Sequence, residues 1–235
     1  MDNIDTQDAP TGDLSTADRH LERHRQQAAK AFERHVITKR SEGRWLLQTI
    51  HADGRPDWTM AAEIIALENA AIYVGGDISH IIFAYGPKDP IGRLRWMGEC
   101  SDLGYYVAQK ARIGMGGRGD GGDVTVVWDY DVAKEELFEH VAETPDPYEG
   151  SGPEDVWRQV SADDQHEFLD NYREAFPDDD MDGIYSMGEV LAPRVIYAHA
   201  AIARLCVLLR AEENELQAQT CGPVNVDADG READV

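Results

Sequence analysis

Between Arg44 and Tyr85 the chain offers four apolar stretches separated by turn-length breaks, and that spacing leaves few architectures open. Arg44 to Ile50 (RWLLQTI) has strand composition, and HADGRPD supplies a turn through Asp53-Gly54 and Pro56. Trp58 to Leu67 has helix propensity on its own. Its neighbours, Ala71 to Val74 and Ile78 to Tyr85, are β-rich and flank Gly75-Gly76-Asp77, so it reads as a strand too. Connections this short join antiparallel neighbours. An antiparallel meander of four to five strands is predicted, with Asp123 to Tyr130 (DVTVVWDY) as a further strand.

The flanking sequence changes period. Ser15 with Asp18 resembles a capping box, and no Pro or Gly interrupts the run to Arg40. Ala17, Leu21, Ala28, Phe32 and Val36 lie near helical spacing, which predicts one helix over 15–40. Ser101 is the expected N-cap of a short helix to Arg112. Beyond the sheet, helices are expected from Asp131 to Ala142, from the Ser161/Asp164 cap to Phe176, and from about Met187 to Leu209. Thr144 to Pro153 reads as a linker. The fold class is therefore α+β: a meander packed with an N-terminal helix and a C-terminal helical layer (131–211) that covers one sheet face. Residues 15–211 read as a single domain between an acidic disordered tail, 1–14, and a polar disordered tail, 212–235.

Charge narrows the function classes. The 235 residues include 45 Asp and Glu against 22 Lys and Arg, a net charge of −23. Direct nucleic-acid binding needs Lys and Arg on phosphates and is not expected. No run of 18 apolar residues is present, so no membrane span is expected. Met1 to Pro10 lacks the basic and apolar regions of a secretory signal. Cys100, Cys206 and Cys221 are scattered and odd in number, which fits neither a disulfide framework nor a zinc set. A reducing cytoplasm is the expected location.

Several motifs carry chemistry on paper. Gly114 to Gly119 (GMGGRG) has the letters of a dinucleotide fingerprint, but a helical segment precedes it, a strand follows it, and Asp120 and Asp123 would repel phosphate. It reads as a loop, and no nucleotide cofactor is expected. Asp178 to Glu189 (DDDMDGIYSMGE) fits the calcium-loop pattern. Asp178, Asp180 and Asp182 would ligate at positions 1, 3 and 5, with Gly183 turning the loop at 6. The Ile184 carbonyl would serve at 7, Ser186 at 9 and Glu189 at 12. Against calcium stand Pro177 just before the first ligand and the lack of a paired second loop; an acidic inter-helix loop is the plainer alternative. His20 and His24 form an HxxxH pair on the first helix with no third ligand fixed by spacing. Asp77 in its turn, and the Tyr106/Lys110 pair, are the residues an unrecognised enzyme would use. No G-x-S-x-G, C-x-x-C or H-E-x-x-H is present.

The run WTMAAEIIALENAAIYVGGDISHIIFAYG followed by DLGYYVAQKA resembles uncharacterised accessory proteins of bacteriophages and prophages. The matched positions are Gly76, Asp77 and Ile78, then Phe83 and Ala84, then Tyr106 and Lys110, and the likeness covers about half the chain. Glu68-Asn69-Ala70 stands where that family carries a Trp-Pro-Gly turn. The resemblance implies an α+β accessory protein in a host cytoplasm; it brings no activity or catalytic residue with it. With the charge, it gives the leading expectation: a non-enzymatic interaction protein that binds a basic or nucleic-acid-binding partner, as an anti-defence or host-takeover factor acting by DNA mimicry. Asp163, Asp164, Asp170 and Asp179 are the candidate partner-binding acids. Calcium binding through 178–189 is the alternative, an enzyme the second alternative. The apolar helix 187–209 is expected to be central or to form a homodimer interface. A salt-adapted surface would carry a similar excess of Asp, with five Lys against 17 Arg.

Overall fold

The computed structural model describes residues 15–67, 71–78, 80–84, 89–100, 111–113, 126–148, 150–179, 181 and 183–220. The fold is α+β, with an N-terminal helix, an antiparallel sheet and C-terminal helices. The chain divides into two compact units, Met1–His24 with Val126–Leu191 and Arg25–Thr125 with Ala192–Val235. They are called the acidic unit and the sheet unit below.

The sheet unit is a meander in strict chain order, β1 (Val36–Ser41), β2 (Arg44–Ile50), β3 (Pro56–Ala66), β4 (Ala71–Gly76), β5 (Ile81–Ala84) and β6 (Ala111–Ile113), each antiparallel to the next. The ambiguous stretch from Trp58 is indeed strand: Ile64 and Ala62 are fully buried while Glu63 between them points to the other face. The same alternation buries Trp45 and Leu47 of β2, and Ile72 and Val74 of β4. Two helices lie against the sheet, α2 (Pro90–Glu99) on β3 and β4, and the last helix, Pro193–Thr220, on β1 and β3. These two helices also pack along each other. There the buried His199 imidazole donates from Nε2 to the Met97 carbonyl at 2.8 Å, and Cys206 Sγ lies 3.4 Å from the Leu94 carbonyl. Burial pushes the Cys206 thiol up to about 11, which makes it a packing group rather than a nucleophile.

Three predicted boundaries change. The first helix, α1 (Thr16–Phe32), does not continue to residue 40: the β-branched run Val36-Ile37-Thr38 leaves the helix and pairs with β2. Thr38 fastens that edge strand by donating to the Gln48 side chain at 2.6 Å. The last helix does not begin at Met187, because Glu189–Leu191 forms a strand, β8, against β7 (Val126–Trp128). It also runs on to Thr220, so residues 212–220 are helix and not tail. The expected helix over 101–112 lies outside the described residues except for Ala111 and Arg112, which belong to β6. The tail 1–14, the glycine loop 114–122, Tyr106, Lys110, Cys221 and the remainder of the C-terminal tail also lie outside them.

The acidic unit gathers α3 (Tyr130–Glu143), α4 (Pro153–Val160) and α5 (Gln165–Ala175) around the β7–β8 pair. These helices share a core of their own within the unit. Leu137, Val156, Phe168, Tyr172 and Ile184 are fully buried in it together with buried Trp157, and Trp128 and Phe176 pack at its border. The aromatic triplet Phe168, Tyr172 and Phe176, spaced by four, supplies the inward stripe of α5 and its C-cap. The final helix, here α6, buries Val195, Ile196, Ile202, Leu205 and Leu209, while Val207 and Leu216 are exposed.

Candidate functional site

Most of the charge sits in one place. Residues 126–191 hold 20 Asp and Glu against three Lys and Arg, so 17 of the 23 net negative charges belong to little more than a quarter of the sequence. The structure separates acids with internal work from acids without it. Asp129 caps α3 by accepting from the Asp131 and Val132 amides, and Asp164 caps α5 by accepting from the Glu167 amide. Half-buried Glu136 accepts from the Gly188 amide at 2.8 Å, and burial raises its carboxyl above the usual range. Asp170 pairs with Arg173 and lies 3.6 Å from His166.

Asp179 is the most firmly held. The Tyr172 hydroxyl donates to its Oδ2, and the Tyr148 hydroxyl lies 2.5 Å from that of Tyr172 and 3.3 Å from the same carboxylate oxygen. Burial pushes the Tyr148 hydroxyl up to about 12 and Tyr172 further in the same direction. This triad ties the loop after α5 to the aromatic core. Tyr172→Phe is expected to cost about 2 kcal/mol in a urea titration, the worth of a hydrogen bond to a charged acceptor. Of the four candidate partner-binding acids, then, Asp164, Asp170 and Asp179 have internal partners and Asp163 alone is exposed with no ion pair among the described residues. Asp131, Glu143, Glu167, Glu174 and Asp178 share that condition, and none of them was among the candidate partner-binding acids.

In the calcium-like loop, Asp180 and Asp182 lie outside the described residues. Gly183 has the left-handed φ of +91° expected at the sixth position. The Ile184 carbonyl accepts the Met187 amide at 3.1 Å, Ser186 is exposed, and its carbonyl accepts the Glu189 amide. Glu189 does not start an exit helix: it faces Trp128 across the β7–β8 pair and accepts from the Gln165 side chain at 2.9 Å. His20 and His24 are neighbours on α1, ring centroids 4.4 Å apart, with Asp129 Oδ2 4.0 Å from His20 Nε2. Among the described residues no group of three or more His, Cys, Asp or Glu is placed to hold a metal.

The sheet unit carries a different feature. Along β2, Leu47 faces Ala62 of β3, but two residues on Thr49 faces Asp57, so three extra residues of β3 bulge out. The bulge is fixed on three sides. Asp57 accepts from the Thr59 amide, His35 reaches the Met60 carbonyl through Nε2 at 3.1 Å, and Asp77 makes a two-point clasp with Ala61. In that clasp the Asp77 amide donates to the Ala61 carbonyl at 3.0 Å, and its Oδ2 accepts the Ala61 amide at 3.1 Å. Met60 is held at φ +61°, a conformation side chains rarely adopt. The result is Trp58, 60% exposed on a braced segment.

Trp58 forms one wall of a cleft of about 840 Å³ lined by residues of β1 to β4. Lys39 and Arg40 of β1, Arg44 of β2, Glu63 of β3 and Asp77 line it. The Lys39 ammonium lies 6.0 Å from the Trp58 ring centroid; Arg44 pairs with Glu63, and Arg40 with Glu212 of α6. Asp77, the carboxylate singled out by sequence, thus clasps the bulge and lies on the cleft rim. Lys39 and Trp58 were missed, because β1 read as helix and a period-two pattern cannot show a bulge.

No protein-family model matches the chain, and no curated protein and no solved structure matches it. No helix among the described residues is long and apolar enough to cross a membrane.

Proposed function

We propose that the chain is a non-enzymatic interaction protein whose acidic unit binds a basic, nucleic-acid-binding partner and competes with nucleic acid for it. The observation that carries this reading is the concentration of 17 net negative charges in residues 126–191, with only three basic side chains among them. A folded body charged in this way repels itself, and its field draws cationic partners at rates that fall steeply with salt. Asp131, Glu143, Asp163, Glu167, Glu174 and Asp178 are exposed without ion pairs among the described residues, and they are the acids a partner would neutralise. The bacteriophage-like segment of the sheet supports an accessory role in a host cell. DNA mimicry is the finer form of the same proposal, since carboxylates on a rigid surface offer the acceptor oxygens and charge of a phosphate backbone.

Affinity capture from a bacterial lysate at about 0.05 M salt, where the Debye length exceeds 10 Å, tests it. Basic DNA-binding proteins are expected in the eluate, and added duplex DNA should release them. Recovery of no such protein, or of partners indifferent to duplex DNA, would count against the mimicry.

A further inference from the structure

We infer that the cleft beside Trp58 is a binding site for a small aromatic phosphate of nucleotide size. This goes beyond the acidic-surface proposal and concerns other residues. Burying a large aromatic side chain is strongly favourable, so leaving Trp58 60% exposed on a segment braced by Asp57, His35 and Asp77 is a use of the residue, not an accident of packing. A braced, exposed indole is a stacking plate, and every nucleobase has a face that stacks on it.

The charges beside the plate specify what else the ligand carries. Lys39, Arg40 and Arg44 line the cleft, in a chain whose net charge is −23. Arg44 and Arg40 each hold a carboxylate, Glu63 and Glu212, whereas among the described residues the Lys39 ammonium has no ion pair and lies over the Trp58 ring. Lys39 follows a one-residue bulge in the edge strand, where Thr38 bonds to Gln48, and this sets its position opposite Leu46. An anion at Lys39 with an aromatic ring on Trp58 satisfies both groups together. Glu63 and Asp77 also line the cleft, and the carboxylate lone pairs left beyond their bonds to Arg44 and Ala61 can accept from the amino and hydroxyl groups of a nucleoside.

Size and long-range field select a small ligand over a strand. The volume of about 840 Å³ lies within the range of small-molecule sites. A polyanion would be repelled by the −23 of the whole chain far more strongly than a single phosphate.

The test is a calorimetric titration of the full chain with the 5′-monophosphates of adenosine, guanosine, cytidine and uridine. Parallel arms use adenosine, inorganic phosphate and an oligothymidylate. At least one monophosphate should bind, more tightly than adenosine or phosphate alone. Trp58→Leu and Lys39→Glu alter exposed side chains outside the core, and each should weaken binding about tenfold or more with the circular dichroism spectrum unchanged. No binding of any monophosphate at millimolar concentration overturns the inference. So does binding that survives both substitutions, and so does an oligothymidylate that binds more tightly than every mononucleotide. Neither substitution touches residues 126–191, so failure here leaves the partner-binding proposal standing, and the reverse holds.

Discussion

Gly76→Ala is expected to destabilise the sheet unit by about 3–4 kcal/mol, read as a lowered midpoint in chemical denaturation. Two costs combine at this position. Its φ of +100° is one that alanine adopts only with strain, and a Cβ there would sit 2.2 Å from the Ala61 carbonyl oxygen. Relief would mean moving backbone, because that same carbonyl accepts the Asp77 amide. Gly54 provides the control. It too has positive φ, +82°, but an added Cβ meets nothing within 4 Å, so Gly54→Ala should cost only about 1 kcal/mol. Equal costs at the two glycines would mean that the clasp between the β4 end and the β3 bulge does not hold the sheet as described.

The second large effect is a loss of stability in acid that belongs to His199. Burial is the chief cause that holds its imidazole down to about 4, from an ordinary 6.5, and nearby Arg25 acts in the same direction. The unfolded chain therefore takes up this proton near pH 6.5, while the folded chain refuses it until about pH 4. Stability from the neutral imidazole is complete above 6.5 and drains as pH falls from 6.5 to 4, by about 3 kcal/mol over the full interval. His35, buried against Met60 and also held below its ordinary value, adds to the same slope. Titration of the many carboxylates changes stability too, so the informative quantity is the difference between the native chain and His199→Leu. The variant loses the bond to the Met97 carbonyl, which keeps the Cys100 amide as a donor. Its stability should gain about 3 kcal/mol on the native chain between pH 7 and pH 4. Parallel curves would contradict a neutral, buried His199.

The sheet was legible in the sequence because its turns are chemical: Asp53-Gly54 and Gly75-Gly76-Asp77 mark reversals whatever lies between them. Elements without such marks were not. The run from Ser15 to Arg40 contains no Pro or Gly, so the end of α1 at Phe32 is set by strand pairing of Val36–Ser41, a tertiary effect. Helix α2 was overlooked for the opposite reason: Gly92 and Gly98 lower its propensity, while its start rests on Asp89, whose side chain accepts the Gly92 amide. The candidate sites divide in the same way. Asp77 was legible as a residue but not as a clasp, since its partner Ala61 is silent in sequence. The acidity of the 126–191 region was also legible. That Asp179 is tied to Tyr148 and Tyr172 while Asp131 and Glu174 are free of ion pairs among the described residues needed coordinates.

The proposal that the acidic unit is the partner surface is tested most directly by the salt dependence of association. The rate constant for a captured basic partner should be measured against ionic strength for the native chain and for a variant with Asp131, Asp163, Glu167, Glu174 and Asp178 replaced by Asn or Gln. The account predicts a steep fall with salt for the native chain, and at about 0.05 M salt a rate at least about tenfold lower, with a flatter slope, for the variant. A rate that ignores salt, or a variant that associates like the native chain, would contradict it.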